Sequence, residues 1–241
     1  MKKSLKLVIV FISMTLLSCN ANLNLKNGVD GSGNIITEKR TINQNFDKIA
    51  ASSGVTVIVE QGSPTDVEVE TDDNLMQYVV TKVENGTLIV KIEGSINTMS
   101  SIDVRVRMSS IAGLESSSGS RISSKNTLKG NTIAVKSSSG SEIDTNLEYE
   151  NVSCESSSGS SITVSGKALK LETASSSGSE IDADELIAND VYAQATSGSS
   201  TTVKPIVKLD GKASSGSSIN YVQTPKTITK EETSGGSVDK E

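Results

Sequence analysis

Two pairs of acidic residues recur in the second half of the chain. Glu142 and Asp144 form one pair and Glu180 and Asp182 the other, with one residue inside each pair. Paired carboxylates can serve as the acid and base of a glycosidase, and their oxygens are also the ligands that Ca²⁺ prefers. Alternate residues of a strand lie on one face. These four residues are therefore the candidates for catalysis or calcium binding.

Their spacing argues against both kinds of site. Glu142 and Glu180 belong to repeats two apart, which puts them about 10 Å apart in a stack of strands. Inverting glycosidases separate their carboxylates by about 6.5 to 9.5 Å. Only Ser161 and Thr163 stand between the pairs, no basic or aromatic partner is evident, and the Gly-Gly-x-Gly-x-Asp repeat of calcium β-rolls is missing. We therefore favour a solvated acidic face.

The composition excludes several other kinds of catalytic and binding site. The chain has no histidine and no tryptophan, which excludes Ser-His-Asp and Cys-His catalysis and histidine-ligated metals. The segment Gly31-Ser32-Gly33 lacks the third glycine and the helix of a dinucleotide site, so we interpret it as a turn. The sequence thus predicts a protein that is not an enzyme and uses no cofactor.

The N-terminus predicts export and lipidation. Lys2, Lys3 and Lys6 precede an apolar run over residues 7–17, which is too short to span a bilayer but typical of a secretory signal. The run ends in Leu16-Leu17-Ser18-Cys19, and a small residue before a cysteine at this place resembles the lipobox of bacterial lipoproteins. We therefore predict a signal peptide over residues 1–18, lipidation of Cys19 and a tether over residues 19–30.

Loss of the signal peptide makes the chain more acidic. It removes three lysines and no acid, which leaves 20 basic and 29 acidic residues and a side-chain charge of −9. Such a body is repelled by nucleic acid and by anionic lipid headgroups, so the acyl chains must supply membrane attachment. Cys154 then has no cysteine partner, and we predict that it is a small buried side chain.

A Ser-Gly-Ser unit repeats through the body of the chain. Its glycines are spaced by 21, 19, 19, 20 and 18 residues, and they are Gly119, Gly140, Gly159, Gly178, Gly198 and Gly216. A degraded copy follows at residues 234–237. The 42 serines alone would suit a flexible linker, but alternate residues around each unit are apolar at both ends and small in the middle. That period of two is typical of strands with one buried face.

Strands of this kind must stack to bury their face. The sequence therefore predicts an all-β, single-chain β-solenoid with Ser/Gly-rich coils of about 20 residues. We expect the inward parity to run through the unit, as in Ser137, Ser139 and Ser141, and Leu169 to face inward too. The buried hydroxyls should find partners within the ladder or with water, and the repeat glycines should form structural corners.

The flanks of the repeats differ from them. Residues 31–110 predict a β-rich N-terminal cap, with an Asn85-Gly86 hairpin and a short helical turn near Asp73 opened by an acidic N-cap. Residues 51–57 resemble the later units, which indicates that the cap and the repeats over residues 111–222 form one domain. Residues 223–241 form either a polar last coil or a frayed tail.

The order of these motifs resembles a known family. Gly31-Ser32-Gly33-Asn34, Phe46-Asp47-Lys48-Ile49, residues 55–62, Asp72-Asp73-Asn74-Leu75 and residues 86–90, followed by serial Ser-Gly-Ser units, are similar to the head GIN domain family of auto-transporter adhesins. The resemblance covers roughly residues 31–222. It implies an envelope protein with a β-helical fold. This sequence shows no C-terminal membrane barrel, so we expect anchoring by lipid.

Three hypotheses for function remain open. The first is a non-catalytic binding module or adhesin that contacts glycans or other envelope and surface proteins along a polar wall. The second is a structural spacer or assembly protein, and the third a carbohydrate-active enzyme on a β-helix. We expect the cell envelope as location, lipid-anchored at the outer membrane, with no preference for either face. The sequence does not determine the oligomeric state.

Overall fold

The computed structural model describes residues 28–97 and 101–241. The predicted signal peptide and Cys19 lie outside the described residues. Within them the chain forms strands, one short 3₁₀ helix at Met76–Tyr78 and no α-helix. The cap strands are β1 (Val29–Asp30), β2 (Ile35–Lys39), β3 (Lys48–Ala51), β4 (Thr56–Gln61), β5 (Asp66–Asp72), β6 (Val79–Glu84), β7 (Thr87–Ile92), β8 (Ile96–Asn97) and β9 (Asp103–Met108).

The remaining strands carry the repeats. They are β10 (Gly113–Ser116), β11 (Arg121–Ser124), β12 (Leu128–Ser137), β13 (Glu142–Ser156), β14 (Ser161–Ser175), β15 (Glu180–Ala195), β16 (Ser200–Ser214), β17 (Ser218–Tyr221), β18 (Thr227–Thr233) and β19 (Ser237–Lys240). From β10 onward each strand pairs in parallel with the corresponding strand of the next coil. The predicted β-solenoid is confirmed.

In the long strands β13 to β16 the alternation of buried residues breaks at a corner, which divides each strand into two walls. In β13 the first wall runs over residues 142–149 and the second over residues 152–156, with a corner at the exposed pair Glu150 and Asn151. Inward residues alternate within each wall, and the corner resets the alternation. Leu169 lies at the equivalent corner of β14 and is 55% exposed, so its predicted inward position was wrong. Ala168 is buried in its place.

The Ser-Gly unit is a turn between the second wall of one coil and the first wall of the next. The six repeat glycines have φ between 66° and 71°, and the serines before them have φ between 52° and 56°. Two consecutive left-handed residues reverse the chain, and glycine adopts that conformation without a Cβ penalty. The middle serine, such as Ser139, is therefore exposed at the tip. The predicted inward position of Ser139 was wrong, because a turn interrupts the strand at the Ser-Gly unit.

The interior is narrow, and in one inner column of the second wall the residues decrease in size from leucine to glycine along the stack. This tapered column is formed by Leu114, Val135, Cys154, Thr173, Ala193 and Gly211, which are paired in register. All are buried. At its far end a Cβ on Gly211 would lie 2.9 Å from Val238 Cγ1. Val238 therefore occupies the space that a side chain at position 211 would need.

Most buried serine hydroxyls have hydrogen-bond partners. Ser141 Oγ donates to the carbonyl of Ser116 in the preceding coil at 2.7 Å, and Ser175 Oγ contacts Ser199 Oγ and Thr201 Oγ1 at 2.9 and 2.8 Å. Thr145 and Thr173 differ from these serines. Their buried hydroxyls have no partner in the described part of the chain.

The cap is interleaved with the solenoid. β3 and β4 pair in parallel with β10 and β11 on one side and with β7 and β9 on the other. Ser53 and Gly54 form the same left-handed turn as the later repeats. A boundary at residue 110 therefore separates no structural units. The chain builds one coil, leaves it to form β5–β9, and returns to continue the stack on the opposite side.

Several details of the cap differ from expectation. β1 pairs with β8 inside the range predicted as tether. The hairpin at Asn85 and Gly86 is present, with φ of 50° and 75°. The 3₁₀ helix is preceded by Leu75, which makes no side-chain cap, so the predicted acidic N-cap was wrong.

The last coil places charged side chains on inward positions. Lys230 and Glu232 of β18 are in register with Gly211 and Ala213. Lys230 Nζ lies 5.4 Å from the centroid of the Tyr221 ring and contacts the carbonyl of Val238. Glu232 accepts the N–H of Val238 at 2.7 Å. Polar groups thus cover the apolar end of the stack.

Candidate functional site: the axial groove

A groove of about 550 Å³ runs parallel to the solenoid axis, between the outer face of the second wall and the Ser-Gly turns. It crosses the coils from Glu115 to Glu231, a length of about 29 Å for six steps of about 4.8 Å. Such a site suits an elongated ligand that lies across several coils.

One side of the groove is a column of outward residues, four positions before each repeat glycine. The groove column consists of Glu115, Lys136, Glu155, Ala174, Gln194, Lys212 and Glu231. Lys136 bonds Glu155 at 2.8 Å, and Lys212 bonds Glu231 at 3.0 Å. Ala174 and Gln194 lie between these ion pairs. The middle of the groove is therefore uncharged, and its flanks are nearly neutral.

The other side is a column of hydroxyl groups, two positions before each glycine. It contains Ser138, Ser157, Ser176, Thr196 and Ser214, all half-buried. Ser214 Oγ donates to Thr196 Oγ1 at 3.2 Å. The hydroxyls of Ser138, Ser157 and Ser176 make no hydrogen bond within the described ranges. They are spaced by about 4.8 Å and can donate to or accept from a ligand.

The turns hold these hydroxyls in place. The backbone N–H of Ser157 donates to Ser160 Oγ at 3.2 Å, and equivalent bonds recur at Ser138, Ser176, Thr196 and Ser214. The glycine N–H donates to the carbonyl of the exposed serine in the next coil, as from Gly159 to Ser177 at 3.2 Å. The turns are therefore stacked as regularly as the strands, which fixes the spacing of the groove.

The four candidate acids lie elsewhere, on the outer face of the first wall. Glu142 is in register with Ser161 and Glu180, and Asp144 with Thr163 and Asp182. Each pair shares a face, as predicted. Glu142 also accepts a hydrogen bond from Arg121 Nη2 at 2.5 Å. The expectation of no basic partner was wrong for this residue, because Arg121 is 21 residues away in the sequence and meets Glu142 only through the stacking of the two coils.

Asp182 differs from the other three acids in its surroundings. It is half-buried, and burial raises the pKa of its carboxyl above the ordinary value. The backbone N–H of Asp184 donates to Asp182 Oδ1 at 3.2 Å. Across residues 28–97 and 101–241, no three or more His, Cys, Asp or Glu side chains group closely enough to hold a metal ion.

Cys154 lies within the core and is fully buried. Burial raises the pKa of its thiol to about 12, so the nucleophilic thiolate does not form at neutral pH.

The groove was missed in the sequence, although a signal existed. Aligning the repeats on their glycines places the groove column at position −4 and the hydroxyl column at position −2. The alternation of apolar inward residues is a stronger pattern than the recurrence of these outward residues, so it dominates the prediction from the sequence. An outer column with an uncharged centre and paired flanks is visible only once the coils are in register.

Comparison with known proteins places this architecture in a family. The family model described as "putative auto-transporter adhesin, head GIN domain" matches residues 45–225. The chain belongs to this family. The head GIN domain thus covers the solenoid from β3 to the end of β17, and the resemblance drawn from the sequence motifs is confirmed. Among curated proteins, none matches the chain.

Solved structures share the fold of this head GIN domain. A putative adhesin from Bacteroides fragilis has a TM-score of 0.83 at 19% identity, covering 89% of this chain and 100% of that one. A putative adhesin from Parabacteroides merdae has a TM-score of 0.70 at 19% identity, with coverage of 89% and 99%. A putative lipid binding protein from Parabacteroides distasonis has a TM-score of 0.73 at 20% identity, with coverage of 88% and 99%.

The described part of the chain contains no helix long and apolar enough to cross a bilayer.

Proposed function

We propose that this head GIN domain protein is a non-catalytic, lipid-anchored binding module of the cell envelope, and that its axial groove holds an extended, polyhydroxylated chain such as a glycan. The observation that carries the proposal is the row of unbonded hydroxyls at Ser138, Ser157 and Ser176. A linear polymer presents its own hydroxyls at regular intervals. Successive coils can therefore bond successive units of the polymer.

The electrostatics of the groove support a neutral ligand. Its lysines are held by the neighbouring glutamates, which leaves no isolated cation to attract phosphate or nucleic acid. Its middle contains only Ala174 and Gln194 in the groove column. The amide of Gln194 can both donate and accept, as sugar hydroxyls require.

The chemistry of the side chains supports a role without catalysis. Glu155 and Glu231 of the groove are held in ion pairs by Lys136 and Lys212, and in the described part of the chain no hydroxyl of the groove donates to a carboxylate that could activate it as a nucleophile. The candidate acids occupy a different wall, and Glu142 is engaged by Arg121. The family description and the names of the similar structures, adhesins and a lipid binding protein, agree with a binding role.

A glycan array followed by titration tests the binding role. The triple variant Ser138→Ala, Ser157→Ala, Ser176→Ala removes three hydrogen bonds worth about 0.5 to 1.5 kcal/mol each, so affinity should fall at least about tenfold. A matched triple on the first wall, Ser161→Ala, Thr163→Ala, Asp144→Asn, should bind as the parent does. Equal binding by all three proteins would reject the groove as the binding site. Cleavage of the bound glycan would reject the non-catalytic role.

The lipid anchor is tested by Cys19→Ser. The parent should sediment with the outer membrane, and the variant should leave the membrane fraction, because the acidic body has no electrostatic attraction to lipid headgroups. Protease added to intact cells then distinguishes a surface protein from one that faces the periplasm. A variant that stays membrane-bound would contradict the anchor.

A further inference from the structure

Two loops of the cap meet at an oxygen-rich cluster far from the groove. One loop is residues 30–34 and the other is residues 72–74. Ser32 Oγ donates to Asp73 Oδ1 at 2.5 Å, and Asn34 Nδ2 donates to Asp73 Oδ2 at 2.9 Å. The amide of Asn74 accepts the N–H of Ser32 at 3.0 Å and donates to the carbonyl of Asp30 at 2.8 Å. Two of the segments that define the family pattern are thus in direct contact.

Asp72 lies beneath this cluster and is only half satisfied. Its side chain is 1% exposed. Oδ1 accepts the N–H of Gly33 at 2.6 Å, which holds the carboxylate against the 30–34 loop. Oδ2 of the same carboxylate is buried and has no hydrogen-bond partner within the described ranges. A buried carboxylate oxygen without a partner is strongly unfavourable.

No side-chain cation compensates this charge. In residues 28–97 and 101–241, no lysine or arginine forms an ion pair with Asp30, Asp72 or Asp73, although ion pairs are frequent on the rest of the surface. The cluster therefore combines two carboxylates with several neutral oxygens and lacks a positive partner.

We propose that this cluster binds Ca²⁺. Asp72 Oδ2 and the Asp73 carboxylate would be the charged ligands, with Ser32 Oγ, the Asp30 carbonyl and an amide oxygen as neutral ones. Rotation of the Asn34 amide by half a turn would present its oxygen in place of its nitrogen. All these donors are hard oxygens on loops, and Ca²⁺ accepts six to eight such ligands in flexible geometry. Mg²⁺ requires a stricter octahedron and retains more water.

This site differs from the acidic face of the first wall. Glu142 and Asp144 project toward solvent, and Glu142 already has Arg121 as a partner. Among the residues that the structure describes, only Asp72 presents an unpartnered carboxylate oxygen beneath the surface. With two carboxylates the site would be weak, near the range of about 10⁻⁴ to 10⁻³ M that extracellular calcium modules show. A bound ion would fasten the loop before β2 to the end of β5.

Calorimetric titration with CaCl₂ tests the site on the full chain after treatment with a chelator. We expect a single site with a dissociation constant in that range, and a higher midpoint of thermal unfolding in 5 mM CaCl₂ than in EDTA. Asp72→Asn and Asp73→Asn should each weaken binding at least tenfold. The control variants Asp144→Asn and Asp182→Asn should bind calcium as the parent does.

The change in stability of the Asp72→Asn variant, measured in EDTA and in calcium, distinguishes a calcium ligand from a residue with a structural role. Asp72→Asn keeps an oxygen for the Gly33 N–H and removes the buried charge, so in EDTA it should be at least as stable as the parent. In calcium it should be less stable. Equal destabilisation in both conditions would assign Asp72 a structural role and overturn the proposal, as would a parent protein that shows neither binding heat nor a midpoint shift. Should Asp72→Asn fail to fold, the exposed Asp73→Asn decides the same question.

Discussion

At the residue scale, the narrow core differs from an ordinary one in its many hydroxyl groups. A hydroxyl inside an apolar interior is tolerated only with a partner. Ser175 has two such partners in the next coil, Ser199 and Thr201, whereas Thr173, two residues earlier on the same strand, has none. Neighbouring positions of one wall therefore respond differently to the loss of a hydroxyl.

Thr173→Val should stabilise the protein by about 1 kcal/mol, because it replaces an unpartnered hydroxyl by a methyl group of equal volume. Ser175→Ala should destabilise it by about 1 to 3 kcal/mol, since Thr201 loses its partner. Urea unfolding followed by circular dichroism measures both. A loss of stability in Thr173→Val would indicate that a buried water serves its hydroxyl.

The buried thiol gives a prediction about pH. Burial raises the pKa of Cys154 and that of Tyr149 to about 12 each. In the unfolded chain both groups ionise at lower pH, near their ordinary pKa values of 9.0 and 10.0. The unfolded state therefore binds fewer protons above pH 9, and stability should fall as the pH rises from about 9 toward 12.

Unfolding free energies measured between pH 8 and 11 should show this fall, with a smaller slope for Cys154→Ala. In a Cys19→Ser background the folded protein should not react with a thiol reagent at pH 8, and the unfolded protein should react fully. Rapid labelling of the folded protein would contradict the buried position of Cys154.

At the element scale, glycines at two kinds of position have different structural roles. Gly159 lies at a turn tip, where a Cβ would meet nothing within 4 Å. Gly166 lies in β14 with φ of 110°, and a Cβ there would lie 2.1 Å from the carbonyl oxygen of Leu147. The first glycine provides only backbone freedom. The second allows two neighbouring strands to approach closely.

Gly159→Ala should therefore cost about 1 kcal/mol, the penalty for a left-handed alanine. Gly166→Ala should cost roughly 3 kcal/mol or more, since the backbone of β13 must move. Chemical denaturation of the two variants beside the parent tests this order. Equal effects would indicate that β14 shifts freely at the bulge between Thr163 and Ser165.

The strands illustrate what local patterns can and cannot predict. Alternation around Ile143 and Val152 correctly predicted one buried face, because a period of two depends only on the strand itself. It failed at Ser139 and Leu169, where a turn and a corner interrupt the period. The partners of β3, including β7 from the cap, depend on contacts between distant segments. No local pattern reports such contacts, so the interleaved cap emerged only from the structure, whereas the two columns of the groove become apparent when the repeats are aligned on their glycines.

At the scale of the whole molecule, the last coil controls the exposed end of the stack. β18 lies at that end and is exposed along its length. Its inward positions hold Lys230 and Glu232, whose charges oppose the docking of another apolar end.

Replacing Lys230 and Glu232 by valine should cause association that grows with protein concentration, because the end of the stack becomes apolar. Light scattering after size-exclusion chromatography measures the mass. A control with valine at Lys212 and Glu231, which face the groove, adds the same apolar surface elsewhere and should not associate end to end. Unchanged mass in the first variant would show that the backbone edge is protected by other means.

The tapered column also bears on how such a gene can change. A deletion or duplication of one whole coil would keep the Ser-Gly turns and the stacking of the strands. Deleting the coil of Thr173 would place Cys154 next to Ala193, and the two side chains differ little in size. Joining the Leu114 coil directly to the Gly211 coil would place the largest residue of the column next to the smallest. The coils are therefore graded in size and have a fixed order. Removal of one coil joins inner residues of similar size, whereas a change in the order of the coils would join residues of very different size.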